Sequence, residues 1–153
     1  LSASACSAFS SDDFALVAAT AKTAIRINAA SGRKVRIVEI RINDALAGST
    51  DQGIKYRIMT GGTDGTGASF TPVPLDASST AVSTAKVAYT AEPTGSPVEV
   101  FVDGLPAGSK VIERFSPDEA FLVAGSGAIY LELTAAQARA SGVVSASVTF
   151  EEI

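Results

Sequence analysis

Three pairs of adjacent acids, Asp12–Asp13, Asp118–Glu119 and Glu151–Glu152, bring carboxylates together in the sequence. Two carboxylates facing each other across a sugar can hydrolyse a glycosidic bond, one as acid and the other as nucleophile or base. Sequence neighbours are poorly placed for this. On a strand they point to opposite faces, and in a loop both are solvated. Carbohydrate processing also tends to use aromatic platforms, whereas this chain has no Trp and only Tyr56, Tyr89 and Tyr130. Tyr130 falls on the polar phase of its segment and reads as an ordinary half-covered strand tyrosine, with an exposed interface contact as the alternative. The pattern argues against a glycosidase.

Other chemistries fail on missing residues. Histidine is absent, which removes the Ser–His–Asp and Cys–His arrangements and the commonest zinc ligand. Cys6 is the only cysteine, so it has no disulfide partner within the chain and no companion for a thiolate metal site; it reads as a passive thiol. The stretch Gly61–Gly67 superficially resembles a phosphate cradle. No Lys-Ser/Thr follows it, and Phe70 stands where the last glycine of a dinucleotide fingerprint belongs, so it reads as a flexible hairpin tip. Asp51, Asp64, Asp103 and Asp118 fall in turns, where such side chains bond nearby backbone N–H groups, and their spacing matches no EF-hand loop. No catalytic, cofactor-binding or metal-binding residue is assigned, and no cofactor is expected.

The totals narrow the class further. A chain of 153 residues is the size of one domain and long enough to bury a real core. Its 12 basic and 16 acidic residues give a net charge of −4, and apart from Arg33, Lys34 and Arg36 the basic ones are scattered. Nucleic acid, which needs a basic stripe to displace counterions, is not an expected partner. No apolar run approaches the roughly 18 residues of a membrane span. Charged residues make up 18% of the chain, below the roughly 25% of an average soluble domain, which suggests that neighbours cover part of the surface. The chain opens at Leu1 rather than Met and reads as a processed or trimmed product. Residues 1–11 are too polar for the apolar region of a signal peptide and read as an N-terminal arm, mobile or interface-forming, ahead of a β-domain at 12–153.

Within that domain the dominant signal has period two, which places apolar side chains on one face of a half-buried strand. Ile25 and Ile27 flank Arg26. Ile54, Tyr56 and Ile58 alternate with Lys55 and Arg57, and Ile129, Leu131 and Leu133 alternate with Tyr130 and Glu132. Val144, Ala146, Val148 and Phe150 oppose Ser145, Ser147, Thr149 and Glu151. By the same rule Val98, Val100 and Val102 form an apolar face, with Glu99 and Phe101 on the other side. Further strand candidates are 14–18, 86–91, 109–115 and 121–124. The run from Lys34 to Asn43 changes phase: Val35 and Ile37 share one face, then Val38, Ile40 and Ile42 take over the buried role. A one-residue slip would put a whole apolar set into water, so a β-bulge near Ile37–Val38 is expected.

Gly- and Pro-rich punctuation separates these segments, with loops at 47–53 and 60–67 and all six prolines at strand ends or connections. A helical turn is expected at 135–140, with Thr134 as N-cap, Gln137 three positions on, and Gly142 as terminator. About nine or ten short strands with turns every ten or so residues imply an all-β, single-domain antiparallel β-sandwich, jelly-roll-like or Ig-like.

With these segments placed, the chain resembles the small β-sandwich proteins that decorate, or cement, the heads of tailed bacteriophages. The resemblance runs through Lys34-Val35-Arg36-Ile37-Val38-Glu39-Ile40, Tyr56-Arg57-Ile58 and Pro74-Leu75-Asp76. It continues through Thr90-Ala91-Glu92-Pro93-Thr94 to the closing Val148-Thr149-Phe150-Glu151-Glu152. It implies a non-enzymatic protein on the capsid exterior of a virion, bound to the major capsid protein, often as a homotrimer, and bridging neighbouring subunits. Strand addition at exposed sheet edges is a docking mode consistent with this. The rival readings are another virion surface, minor capsid or tail protein, or a bacterial surface or glycan-binding β-sandwich module. The shortage of aromatic and amide side chains weighs against glycan binding.

Overall fold

The computed structural model describes residues 4–10, 14–46, 53–76, 78–116, 118 and 121–153. Among them are twelve strands and no helix. In chain order they are β1 (Ser4–Ser10), β2 (Lys22–Asn28), β3 (Val35–Asp44), β4 (Ile54–Thr60), β5 (Thr66–Phe70) and β6 (Val73–Pro74). There follow β7 (Thr84–Ala91), β8 (Val98–Leu105), β9 (Lys110–Arg114), β10 (Leu122–Val123), β11 (Ala128–Ala135) and β12 (Val144–Glu152). The first sheet runs β10-β3-β12-β1-β6, with β9 also paired to β3, and the second runs β5-β7-β2-β11-β4-β8. Every ladder is antiparallel, and the two sheets form a single-domain β-sandwich.

The period-two segments build its interior. Ile25, Ile27, Tyr56, Ile58, Ile129, Leu131 and Leu133 from the second sheet meet Val35, Ile37, Ile40, Ile42, Val148 and Phe150 from the first in one buried cluster. The phase change in β3 is absorbed where expected. Opposite β12, Thr149 pairs with Glu39 and Phe150 with Ile37, which leaves Val38 as the extra residue. Val35 and Ile37 on one side of it, and Ile40 and Ile42 on the other, therefore all reach the same core. Val38 itself is only half-buried, so it is the bulge and not a core residue.

Five expectations need correction. Residues 4–10 of the supposed arm are strand β1, paired along its whole length with β12, and Cys6 is fully buried; residues 1–3 and 11 lie outside the described residues. Residues 14–18 are not a strand: Phe14 and Leu16 are core plugs, and only Leu16 makes a bridge, to Arg139. The helical turn at 135–140 is absent, because Ala135 completes β11 and Arg139 takes that bridge. Thr66 and Gly67, assigned to a loop, begin β5. In β8 the faces are reversed. Phe101 packs on the core, and Val98, Val100 and Val102 are exposed. Burying a phenyl ring removes more apolar area from water than burying a valine. A register shift against β4, which pairs Ile58 with Phe101 and Met59 with Glu99 and skips Val100, lets the ring go inside. The loop at 47–53 is described only at its last residue.

A buried ion pair ties one end of the sandwich. Arg139 donates from Nη2 to Asp44 at 2.9 Å and from Nε at 3.1 Å, with both side chains fully inaccessible. Asp44 also accepts the amides of Leu46 and Gly108, each at 3.2 Å, and Arg139 Nη1 donates to the Gln137 carbonyl at 2.6 Å. Burial acts to raise the Asp44 carboxyl, but the Arg139 hydrogen bonds and the two amides outweigh it and hold the group below its ordinary 3.8. Arg139→Leu is expected to cost about 3–5 kcal/mol in urea unfolding because it strands a buried carboxylate. The double variant Asp44→Leu/Arg139→Leu should regain most of that loss.

Candidate functional site

Strand β2 is buried on both faces, which a two-sheet core alone does not explain. On its outer side Arg26 stands beside Tyr130 of β11, its guanidinium 5.3 Å from the ring centroid. The segment after β4 folds over them. Arg26 donates to the carbonyls of Gly61 at 3.1 Å and Gly62 at 3.3 Å. Thr63 and Thr94 exchange backbone bonds at 2.8 and 2.9 Å. Asp64 accepts from Lys86 Nζ and the Tyr89 hydroxyl, both at 2.6 Å, and lies 3.4 Å from Arg26 Nε, an ion-pair distance without hydrogen-bond alignment.

The stretch expected as a flexible tip is thus a strap seated on the sheet, and Tyr130, expected to be half-covered, is buried, as is Tyr89. Glycine is required by proximity here: a Cβ on Gly65 would fall 2.0 Å from the Ala91 carbonyl oxygen, and one on Gly67 would fall 2.7 Å from the Tyr89 ring.

Lys86 and Tyr89 lie three apart on one strand yet reach the same carboxylate, which strict alternation forbids. The ladder between β5 and β7 slips at this point, and Ala88 adopts the left-handed conformation at φ 50°. That break turns Tyr89 to the side of Lys86. Burial, then the Asp64 hydrogen bond and charge, push the Tyr89 hydroxyl up. Asp64 is held below its ordinary value, because the bonds from Lys86 and Tyr89 and the charges of Lys86 and Arg26 outweigh burial.

A second polar cluster lies between the sheets. Glu152, at the end of β12, accepts from the amides of Val82 and Ser83 and from the Ser83 hydroxyl, each at 3.0 Å, and from Cys6 Sγ at 3.7 Å. Burial, then the charge and hydrogen bond of Glu152, raise the Cys6 thiol to about 11. Glu151 points the other way and pairs with Arg36, as neighbours on a strand must. Asp103 bonds the Gly104 amide at 2.8 Å and Asp118 lies in a turn. Asp12, Asp13, Asp51 and Glu119 lie outside the described residues. Glu92, which the sequence did not single out, accepts both the amide and the hydroxyl of Thr23.

These clusters fasten segments together, and their members Val82, Ser83 and Lys86 also line a cavity with Phe70 and Pro72. Among the described residues no group of three His, Cys, Asp or Glu side chains is placed to hold a metal ion. The outer faces of both sheets carry cross-strand ion pairs set by register, Arg36 with Glu151, Arg114 with Glu39, and Arg57 with Glu132.

Strands β8, β9 and β10 carry several of the exposed aliphatic side chains, on both outer faces of the sandwich: Val102 lies opposite Arg57, Ile112 opposite Arg41 and Leu122 opposite Arg36. Val98, Val100, Val102, Ile112 and Leu122 there are 36–58% exposed. Behind them Phe101, Phe115 and Phe121 stack with centroids 5.3–6.0 Å apart, and Tyr56 seals the cluster by donating to Glu113 at 2.8 Å. A smaller apolar group, Val73, Leu75 and Val82, is also exposed. The β8–β10 edge is the candidate interaction surface. No protein-family model, curated protein or solved structure matches this chain.

Two outcomes test the strap. Ala88→Gly should stabilise the fold by about 0.5–1 kcal/mol, measured by chemical unfolding, because glycine adopts a positive φ without steric cost. Asp64→Asn should cost about 2 kcal/mol at neutral pH. The Asp64 carboxyl is depressed in the folded state, so its stabilisation is complete above the ordinary 3.8 and is lost as pH falls through the lower folded value. The gap between wild type and variant should accordingly close in acid.

Proposed function

We propose that this chain is a non-enzymatic structural protein of a virus particle. It is a capsid decoration, or cement, protein that binds the outside of a tailed-phage head as a homotrimer and bridges neighbouring major-capsid subunits. The observation that carries the reading is the exposure of Val98, Val100 and Val102 on β8, an edge strand whose Phe101 packs into an aromatic cluster with Phe115 and Phe121. An apolar patch of that kind on a soluble domain marks a contact surface. The polar clusters support the same reading, since each is spent on holding backbone segments in place. The ordered sequence resemblance supplies the identity of the partner.

On this reading the mechanism is contact area without turnover. A stable contact buries about 1,600 Å² in total, and a protein that touches two capsid subunits at once gains further through effective concentration. The test mixes the purified chain with undecorated heads of the major capsid protein from the same genome and images them. Saturable, symmetric occupancy is expected, with the Val100→Lys/Val102→Lys variant binding at least about tenfold more weakly while its unfolding free energy changes by less than about 0.5 kcal/mol. Absence of wild-type binding, with the chain remaining monomeric, would overturn the proposal.

A further inference from the structure

Strand β3 and its partners gather on one face basic side chains that the sequence keeps apart. With Val35, Ile37, Ile40 and Ile42 turned to the core, Arg36 and Arg41 stand on the outer phase of β3. Lys34 continues that phase, since it exchanges backbone bonds with Ile153 just beyond the β12 ladder. Strand β9 adds Lys110 opposite Asn43 and Arg114 opposite Glu39. Against these five cations the described strands of the face set two carboxylates, Glu39 and Glu151. Glu113, on the other phase of β9, is taken up by the Tyr56 hydroxyl. The face therefore carries a surplus of positive charge in a chain whose net charge is −4.

These charges are not all spent on one another. Arg36 pairs with Glu151, and both are largely covered. Glu39, by contrast, is shared by two arginines: Arg41 donates from Nε to one oxygen, and Arg114 donates from Nε to the other at 3.0 Å. The carboxylate is 17% exposed and its partners 57% and 70%. It holds the inner edge of each guanidinium, while the Nη groups have no hydrogen-bond partner among the described residues. A guanidinium anchored in this way still offers N–H donors in a planar fork that fits a carboxylate or a phosphate. Beside the forks stand Ile112, opposite Arg41, and Leu122, opposite Arg36, 43% and 51% exposed.

The two aliphatic side chains decide which anion this face suits. A phosphate backbone would cover neither, and the outer phase of β3, β9, β10 and β12 offers no aromatic ring on which bases could stack. Arginine set around exposed aliphatic side chains is instead the composition of a protein interface. We infer that the outer face of the first sheet docks an acidic protein surface. Carboxylates of that partner bind the open forks of Arg41 and Arg114, and its apolar side chains cover Ile112 and Leu122. The contact lies on the sheet opposite β8 and does not depend on the capsid reading.

The test titrates the full chain into a fluorescently labelled copolymer of Glu and Leu, and separately into single-stranded DNA of the same net charge, and reads anisotropy. The copolymer should bind the more tightly. Raising NaCl from about 20 to about 200 mM should weaken it, because the Debye length shortens about threefold. Lys110→Glu and Arg41→Gln/Arg114→Gln should each weaken binding about tenfold, whereas Lys55→Glu, the same charge change on the outer face of the opposite sheet, should alter it less than about twofold. Circular dichroism checks that each variant is folded, and Lys110→Glu decides the matter alone if loss of the arginine pair disturbs β3. No binding at low salt, equal losses from Lys55→Glu and Lys110→Glu, or tighter binding of the DNA overturns the inference.

Discussion

The pairing of β3 with β12 is the constraint on which the rest of the sandwich depends. Both are long, both alternate, and together they present Ile37, Ile40, Ile42, Val148 and Phe150 to the opposite sheet. A strand of ten residues with a phase change midway cannot do this flat, because half of its apolar set would face water. One unpaired residue at Val38 solves the problem and bends the strand. Around that bend β3 takes two different partners on its far side, β10 at Val35–Arg36 and β9 at Glu39–Asn43. The chain between β9 and β10 brings Phe115 and Phe121 against Phe101 at the mouth of the sandwich. The aromatic edge is thus a consequence of the bulge.

Charge inside this molecule does the work of fastening. Arg26, Asp44, Arg139 and Glu152 are all buried, and each bonds to segments remote in sequence: the strap after β4, the turn before β9, the bridge at Leu16, the approach to β7. A charge removed from water needs a full set of partners, so each such group fixes its neighbours' positions as well as its own. The low charge fraction noted in the sequence is therefore lower still on the outside. Several of the charges that remain there form cross-strand ion pairs, and aliphatic side chains stand exposed beside them, on β8, β9 and β10 and at Val17, Val73, Leu75 and Val82.

How much of this was legible in the sequence follows the physics of each element. Alternation identified the strands that have one buried and one wet face, such as β4, β11 and β12, and its failure within β3 located the bulge. It could not find β1 or β5, whose small residues carry no period. It inverted β8, where the contest between Phe101 and three valines is decided by ring size and a register shift. It also misread Tyr130, because a polar phase covered by a later loop looks the same as one facing solvent. The Gly61–Gly67 stretch reads as flexible by composition; its glycines are there because Ala91 and Tyr89 press against the backbone. Of the candidate surface, the valines were visible as residues, but their exposure depended on tertiary packing that no local pattern encodes.

The edges decide how such a surface makes contact. An open strand edge invites pairing by another chain unless it is short, charged or bent. Here β9 reads Lys-Val-Ile-Glu-Arg, β6 is two residues long and ends on Pro74, and both β8 and β5 carry register shifts. The outer edges are blunted, so strand addition from outside is disfavoured at each of them. At the β8–β10 edge the exposed aliphatic side chains stand on both outer faces, Val102 on one sheet and Ile112 and Leu122 on the other. Strand β6, two residues long, covers only Cys6 and Ser7 on the outer side of β1.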